Sequence, residues 1–250
     1  MWTRAALESE AHPWQSDVWR VVDSQAQVST MKLVDTLAEQ MLLESVLDRS
    51  KPTIPPSCGH LHYLLATPFR YSPYPTGSRF RRAGQPDGCY YASCTPETAI
   101  AEQAFYRFLF FLESPDTIRP RNAMEHTAFS VPIATARSID RSAPTFRQWA
   151  SQWMHPTDYN ACQALADTAS AAGIEALRYC SVRDPGHGQN VAVFAPEAFQ
   201  ATKPEDHQTW RIFVQQDAVQ VFREMPYCSI EFRAERWIDD PRIAQALARP

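Results

Sequence analysis

The sequence predicts an α+β fold, and three observations carry that expectation. A long run in the first fifth of the chain has apolar residues at helical spacing. The last quarter shows the period-two alternation of antiparallel strands. Between them, short strand-like runs are interleaved with helical ones, a mixture that suits segregated sheet and helices. The 250 residues include 44% hydrophobic and 12% aromatic residues, enough to bury a substantial core. Only seven glycines accompany twenty prolines, which excludes collagen-like and disordered classes.

In residues 25–47, Val28, Met31, Val34, Leu37, Met41, Leu42 and Val46 recur at helical spacing and predict one amphipathic helix. The run Lys51-Pro-Thr-Ile-Pro-Pro-Ser breaks it. The expected organisation is therefore an N-terminal helical extension and linker over 1–55 and a main domain over 56–250. Residues 61–66 read as a first strand, and the Pro-, Gly- and Arg-rich stretch 70–88 as a long loop with a short strand near Arg79 and Phe80. Residues 89–93 predict another strand. Thr95, Pro96 and Glu97 then open a helix as cap, first-turn proline and dipole-matched acid. That helix, 96–112, is apolar on almost every side and must be largely buried. Further strands are expected at 126–133, 176–179, 190–194, 210–214, 219–222 and 229–232. Helices are expected at 158–172, ending at Gly173, and at 241–248.

The net charge of −4 argues against general electrostatic binding of nucleic acid. Arginine supplies twenty-one of the twenty-four positive charges, and arginine is suited to gripping phosphate or carboxylate through two parallel bonds. Residues 1–17 lack the apolar core of a signal peptide, and the most apolar stretch, 105–112, is shorter than the roughly 20 residues a bilayer requires. Six scattered cysteines fit reduced thiols, so a cytoplasmic protein without a membrane segment is expected.

Five of the seven glycines fall in two clusters: Gly77, Gly84 and Gly88 around Arg79, and Gly186 and Gly188 after Ser181. They fit either two ordinary turns or two loops around a ligand. Glu102 favours a site. It lies on the nearly all-apolar helix, sharing a face with Thr98, Ala99, Tyr106 and Leu109, where a carboxylate needs hydrogen bonds or a cation. Arg79 is one candidate partner or neighbour across a pocket. Solvent beside Gln103 and a bond to Tyr106 are the alternatives. Cys58, His60 and His62 have zinc-like spacing but no second pair to complete a site. The run 184–190 lacks the dinucleotide fingerprint of a Rossmann loop.

The run Leu64-Leu-Ala-Thr-Pro-Phe-Arg70-Tyr71, then Gly77-Ser78-Arg79-Phe80, Tyr91-Ala-Ser93, Thr98-Ala99, Glu102 and Arg178-Tyr179-Cys180-Ser181-Val182-Arg183 resembles the RES domain family over about residues 60–200. The Arg, Glu and Ser of that family's name fall on Arg79, Glu102 and Ser181. A Tyr follows the Arg by a dozen residues, and the Glu follows the Tyr by eleven. Phe80 stands where many members have Trp. The resemblance implies an ADP-ribosyltransferase-like mixed sheet core with flanking helices. It implies a toxin neutralised by an Xre-like antitoxin, with NAD as substrate and no metal. The implied activity is hydrolysis or phosphorolysis of the nicotinamide–ribose bond; the alternative is transfer of ADP-ribose to a protein.

In these roles Glu102 offsets charge developing on the ribose. Arg79 and Arg70 grip the pyrophosphate, Tyr91 and Tyr71 wall the nicotinamide, and Ser181 bonds the amide or a phosphate. The basic run Arg79-Phe-Arg81-Arg82 gives the rival from another class, an RNA-targeting toxin, although direct nucleic-acid binding is not the expectation. A non-catalytic binding module is the third reading and would make Glu102 dispensable. Assembly as a homo-oligomer or a toxin–antitoxin complex is expected, with the N-terminal helix mediating contact or covering the sheet.

Overall fold

The computed structural model describes residues 2–24, 33–70 and 75–248. The chain opens with helix α1 (Arg4–Glu10), capped by Thr3, and passes directly into strand β1 (His12–Asp23). Helix α2 (Leu37–Ser50) follows, its start set by a reciprocal capping box in which Thr36 and Glu39 satisfy each other's backbone donors. The amphipathic helix expected over 25–47 thus begins at Leu37 within the described residues, and 25–32 lie outside them. None of its residues is buried: Leu37, Met41 and Leu42 are all exposed.

Residues 12–23 correct the expectation of a purely helical N-terminal extension. β1 runs antiparallel to strand β3 (Met124–Asp140) along nearly its whole length, Trp14 opposite Thr135 through Asp23 opposite His126. It also pairs with strand β2 (Tyr90–Ser93) at Trp19 and Ser93. A second correction falls at 61–66. That run is helix α3 (Tyr63–Ala66), because His62 accepts the Leu64 N–H as a cap, and Leu65 and Ala66 bury together while Tyr63 faces solvent. Near Arg79 the expected strand is reduced to an isolated bridge between Ser78 and Arg81.

The remaining elements follow the predicted order. Helix α4 (Pro96–Glu113) is capped by the Thr95 hydroxyl and buries Ile100, Ala104, Phe105 and Phe108. Helices α5 (Ala150–Trp153) and α6 (Asn160–Ala171) precede strands β4 (Ala176–Cys180) and β5 (Gln189–Val193). An antiparallel meander of β6 (His207–Val214), β7 (Ala218–Arg223) and β8 (Cys228–Arg233) leads to helix α7 (Pro241–Leu247). The eight strands of the described residues join one mixed sheet in the order β1-β2-β5-β4-β3-β6-β7-β8, and the β1–β3 pairing closes its first five into a ring. β3 is the spine. Its N-terminal half pairs with β6 and its last residues pair in parallel with β4, while β1 covers its other edge.

The core lies on both sides of this sheet. α4 packs Phe105 and Phe108 against Trp210, Val221 and Trp237 on the meander side, and α6 packs Leu165 and Ala169 with Phe146 and Leu177 on another. A third cluster joins Val18, Tyr90, Phe129 and Val191 inside the ring to Phe69 and Phe199. Among the described residues no helix is long and apolar enough to cross a membrane.

The approach to β2 requires glycine at position 88. A Cβ there would lie 2.2 Å from the Pro68 carbonyl oxygen and 2.3 Å from the Phe69 Cα, both backbone atoms. Gly88→Ala is therefore expected to lower stability in urea unfolding by about 1–3 kcal/mol, as overpacking does. Gly59→Ala is the matched control: its Cβ meets only Pro56 at an ordinary 3.5 Å, and its helical φ of −62° suits alanine. That variant should match the parent or exceed it by up to about 1 kcal/mol. Equal losses in both would refute the close-packing account.

Candidate active site

A cavity of about 440 Å³ opens between β1, β2, the first turns of α4 and the loop at 77–79; Arg20, Arg79, Tyr91, Glu102, Tyr159 and Arg242 are among the residues around it. Its size suits a small-molecule ligand.

Glu102 reaches this cavity from α4. Its Oε1 accepts the Ser181 hydroxyl at 2.7 Å and the Asn190 amide at 2.6 Å, while Oε2 carries no hydrogen bond among the described residues. Asn190 is oriented in turn by the Ser93 hydroxyl, which donates to its Oδ1 at 2.6 Å. The carboxylate is thus compensated by two neutral donors, with one oxygen left toward the cavity. Neither Arg79 nor Tyr106 bonds it.

Ser181 is fully buried and does not line the cavity. Its Oγ donates to Glu102 and accepts the backbone N–H groups of Arg183 and Asp184 at 3.1 and 2.8 Å. It therefore holds the carboxylate in position from behind the cavity wall, where the resemblance implied a direct bond to the nicotinamide amide or a phosphate. The loop behind it is locked by Asp184, which accepts from the Thr98 hydroxyl and from the Gly186 and Gly188 amides. A Cβ on Gly188 would lie 2.0 Å from Thr98 Oγ1, so this glycine lets the loop close on the start of α4.

Arg79 does line the cavity, but its guanidinium also holds the opposite wall. Nη1 donates to the carbonyls of Trp153 and His155 at 2.8 and 3.2 Å, Nη2 donates to His155, and the group lies 4.7 Å from the Tyr159 ring centroid. Tyr91 presents its ring to the cavity while its hydroxyl accepts the Phe80 N–H at 3.0 Å and pairs with Ser78 at 2.8 Å. Burial raises its phenol well above the ordinary tyrosine range and keeps it neutral. Arg70 is turned away. It bonds the Pro52 carbonyl at 2.8 Å and approaches Asp48 at 3.4 Å, against the linker and outside the cavity lining. Tyr71 lies outside the described residues.

The structure adds residues that the sequence reading missed. Asn190 shows no motif signal of its own, because its role depends on β5 lying beside β2. Arg183, Asp240 and Arg242 form a charged cluster at the cavity edge: Asp240 is almost wholly buried and accepts from Arg183 at 2.8 Å and from Arg242 at 2.9 Å. Burial alone would raise the Asp240 carboxyl, but the bonds and charges of Arg242 and Arg183 outweigh it and hold the carboxyl below its ordinary range. Arg183 also lies 4.0 Å over the Phe105 ring. Around the cavity, four guanidiniums face two carboxylates, which leaves it electropositive. Among the described residues, no group of three or more His, Cys, Asp or Glu is placed to hold a metal ion.

This cluster makes a sign-definite prediction. A carboxyl whose folded-state value is depressed contributes stability above its unfolded value of about 4 and loses it as pH falls through the lower folded value. Arg183→Met leaves Asp240 buried with one partner and should cost about 3 kcal/mol at neutral pH. Arg242→Met, at a third-exposed site, should cost less. Denaturant titrations from neutral pH to pH 2 should show both variants losing less stability on acidification than the parent; parallel curves would overturn the assignment.

Comparison with known proteins gives the following. No curated protein matches the chain. Among solved structures it is similar to one described as the M. tuberculosis MbcT–MbcA toxin–antitoxin complex, at 10% identity and a TM-score of 0.46, over 82% of this chain and 89% of that one. Residues 54–214, well over half of the sequence, match the RES domain, and that segment contains Arg79, Tyr91, Glu102, Ser181 and Asn190. The chain belongs to the RES domain family.

Proposed function

We propose that this protein is the toxin of a toxin–antitoxin pair and that it degrades NAD by cleaving the nicotinamide–ribose bond. Membership of the RES family and the electropositive cavity support this reading; an ADP-ribosyltransferase-like relationship of the mixed sheet core is part of the same proposal. The observation that carries it is Glu102: one carboxylate oxygen is anchored by Ser181 and Asn190 and the other is left to a cavity whose remaining charged walls are cationic.

The chemistry follows from that geometry. When the bond between ribose C1′ and the pyridinium nitrogen breaks, the electron pair neutralises the leaving nicotinamide and the ribose acquires oxocarbenium character. A carboxylate already oriented by two donors stabilises that charge without reorganising. Water attacking C1′ yields ADP-ribose and a released proton; inorganic phosphate yields the 1′-phosphate instead. In this reading Glu102 Oε2 bonds a ribose hydroxyl or the attacking group. The guanidiniums neutralise the pyrophosphate. An Xre-like antitoxin and a cytoplasmic site of action belong to the same proposal.

Incubation of the purified protein with NAD, with and without phosphate, and identification of the products test it. NAD loss is expected, with ADP-ribose or its 1′-phosphate formed; ADP-ribose attached to protein would replace degradation by transfer. Glu102→Gln should lower turnover by about 100-fold or more with an unchanged circular dichroism spectrum. Undiminished turnover in that variant would sink the role of Glu102.

A further inference from the structure

We infer that Arg20, on the N-terminal strand, binds phosphoryl oxygens of the substrate. This assignment rests on the reaction proposed above and names a residue outside the 54–214 segment that matches the family.

β1 brings Arg20 to the cavity wall. Its Nη1 donates to the Tyr91 carbonyl at 3.0 Å on the neighbouring strand, and its guanidinium carbon lies 5.1 Å from the centroid of the buried Tyr90 ring. Among the described residues these contacts fix the group while engaging a single N–H of the five a guanidinium carries. Among the described residues no carboxylate lies within ion-pair distance of it. The other cations of the cavity are more fully engaged. Arg183 and Arg242 share Asp240, and Arg79 donates to two backbone carbonyls. Arg70, the other expected pyrophosphate ligand, faces the linker. Arg20 is thus an anchored cation with free donors at an electropositive cavity, the arrangement that holds a phosphoryl group by two parallel bonds.

Its register ties it to the reacting carboxylate. The adjacent residue, Trp19, pairs with Ser93, whose hydroxyl orients Asn190, which in turn donates to Glu102. Arg20 is thus anchored on β2, the strand whose Ser93 also orients Asn190 toward Glu102. Two sources share this chemistry: the pyrophosphate of NAD and an attacking inorganic phosphate.

Arg20→Gln is the decisive variant, because it keeps a donor for the Tyr91 carbonyl and removes the charge. It should raise KM for NAD and the calorimetric Kd for ADP-ribose by roughly tenfold to a hundredfold, the range for a lost bond to a charged group. Binding of nicotinamide riboside, which lacks the pyrophosphate, should not change. Arg20→Lys should recover part of the loss. A rise confined to KM for inorganic phosphate supports the inference with the attacking phosphate as the group held. Unchanged constants for NAD, ADP-ribose and phosphate in a folded Arg20→Gln protein would overturn it, even with the parent consuming NAD. A parent that binds ADP-ribose through Arg20 but consumes no NAD would instead overturn the proposed reaction and leave this inference standing. Should Arg20→Gln fail to fold, Arg20→Lys decides: selective weakening of the phosphorylated ligands supports the inference, and unchanged constants refute it.

Discussion

Glu102 lies half-buried on a helix whose neighbouring turns are buried apolar side chains, and the cost of taking part of its carboxylate out of water constrains much of the surrounding structure. A cation within bonding distance would meet that cost but would also neutralise the group. The fold uses two neutral donors instead, one from the loop after β4 and one from β5. Both donors must arrive together, so the β4–β5 hairpin has to sit in fixed register beneath α4. The locked turn at Asp184 and the pairing of Ser93 with Asn190 on β2 and β5 supply that register. The result is a charge held in place before any ligand arrives, which is the condition for electrostatic stabilisation of a developing cation.

The cations of the site divide by function in the same way. Arg183 is buried, paired with Asp240 and packed over Phe105, so it joins the start of α7 to the wall beneath the cavity. Arg79 bridges the 77–80 loop to the end of α5 and the segment after it through carbonyl oxygens, and among the described residues it has no carboxylate ion-pair partner. Arginine rather than lysine suits both tasks, since one planar fork can hold two or three acceptors and still lie flat on an aromatic ring. The preference for arginine in the composition thus has a structural use at these positions.

Closure of the first five strands into a ring makes the chain ends part of the site. β1 adds Arg20 to the cavity and fills the edge that β3 would otherwise expose, while α7 adds Arg242 from the opposite end. The segment that matches the family therefore supplies the carboxylate and its support, and the flanking segments complete the cationic wall. α2, in contrast, stands outside this arrangement with its apolar face exposed.

Local chemistry alone made most elements legible. Thr95-Pro96-Glu97 marks the start of α4, Gly173 with φ of +66° follows the end of α6, and the alternation in β6, β7 and β8 needs no distant information. Glu102 is legible as a carboxylate on an apolar helix, Arg79 as a candidate neighbour beside clustered glycines, and Tyr91 only through the resemblance to the RES family. The short apolar run at 61–66 misled because its length fits a strand as well as a helical turn, and the His62 cap with the following Pro68 decides for the helix. β1 was missed because its partners lie more than 70 residues away on β2 and more than 100 away on β3. Only the tertiary structure shows that Ser181 bonds the carboxylate from behind the cavity wall, that Arg70 turns to the linker, and that Asn190, Arg20 and Arg242 meet at one cavity. Residue type and spacing determine what a side chain can do; which partner it meets depends on strand pairings between distant segments, and no local pattern encodes those.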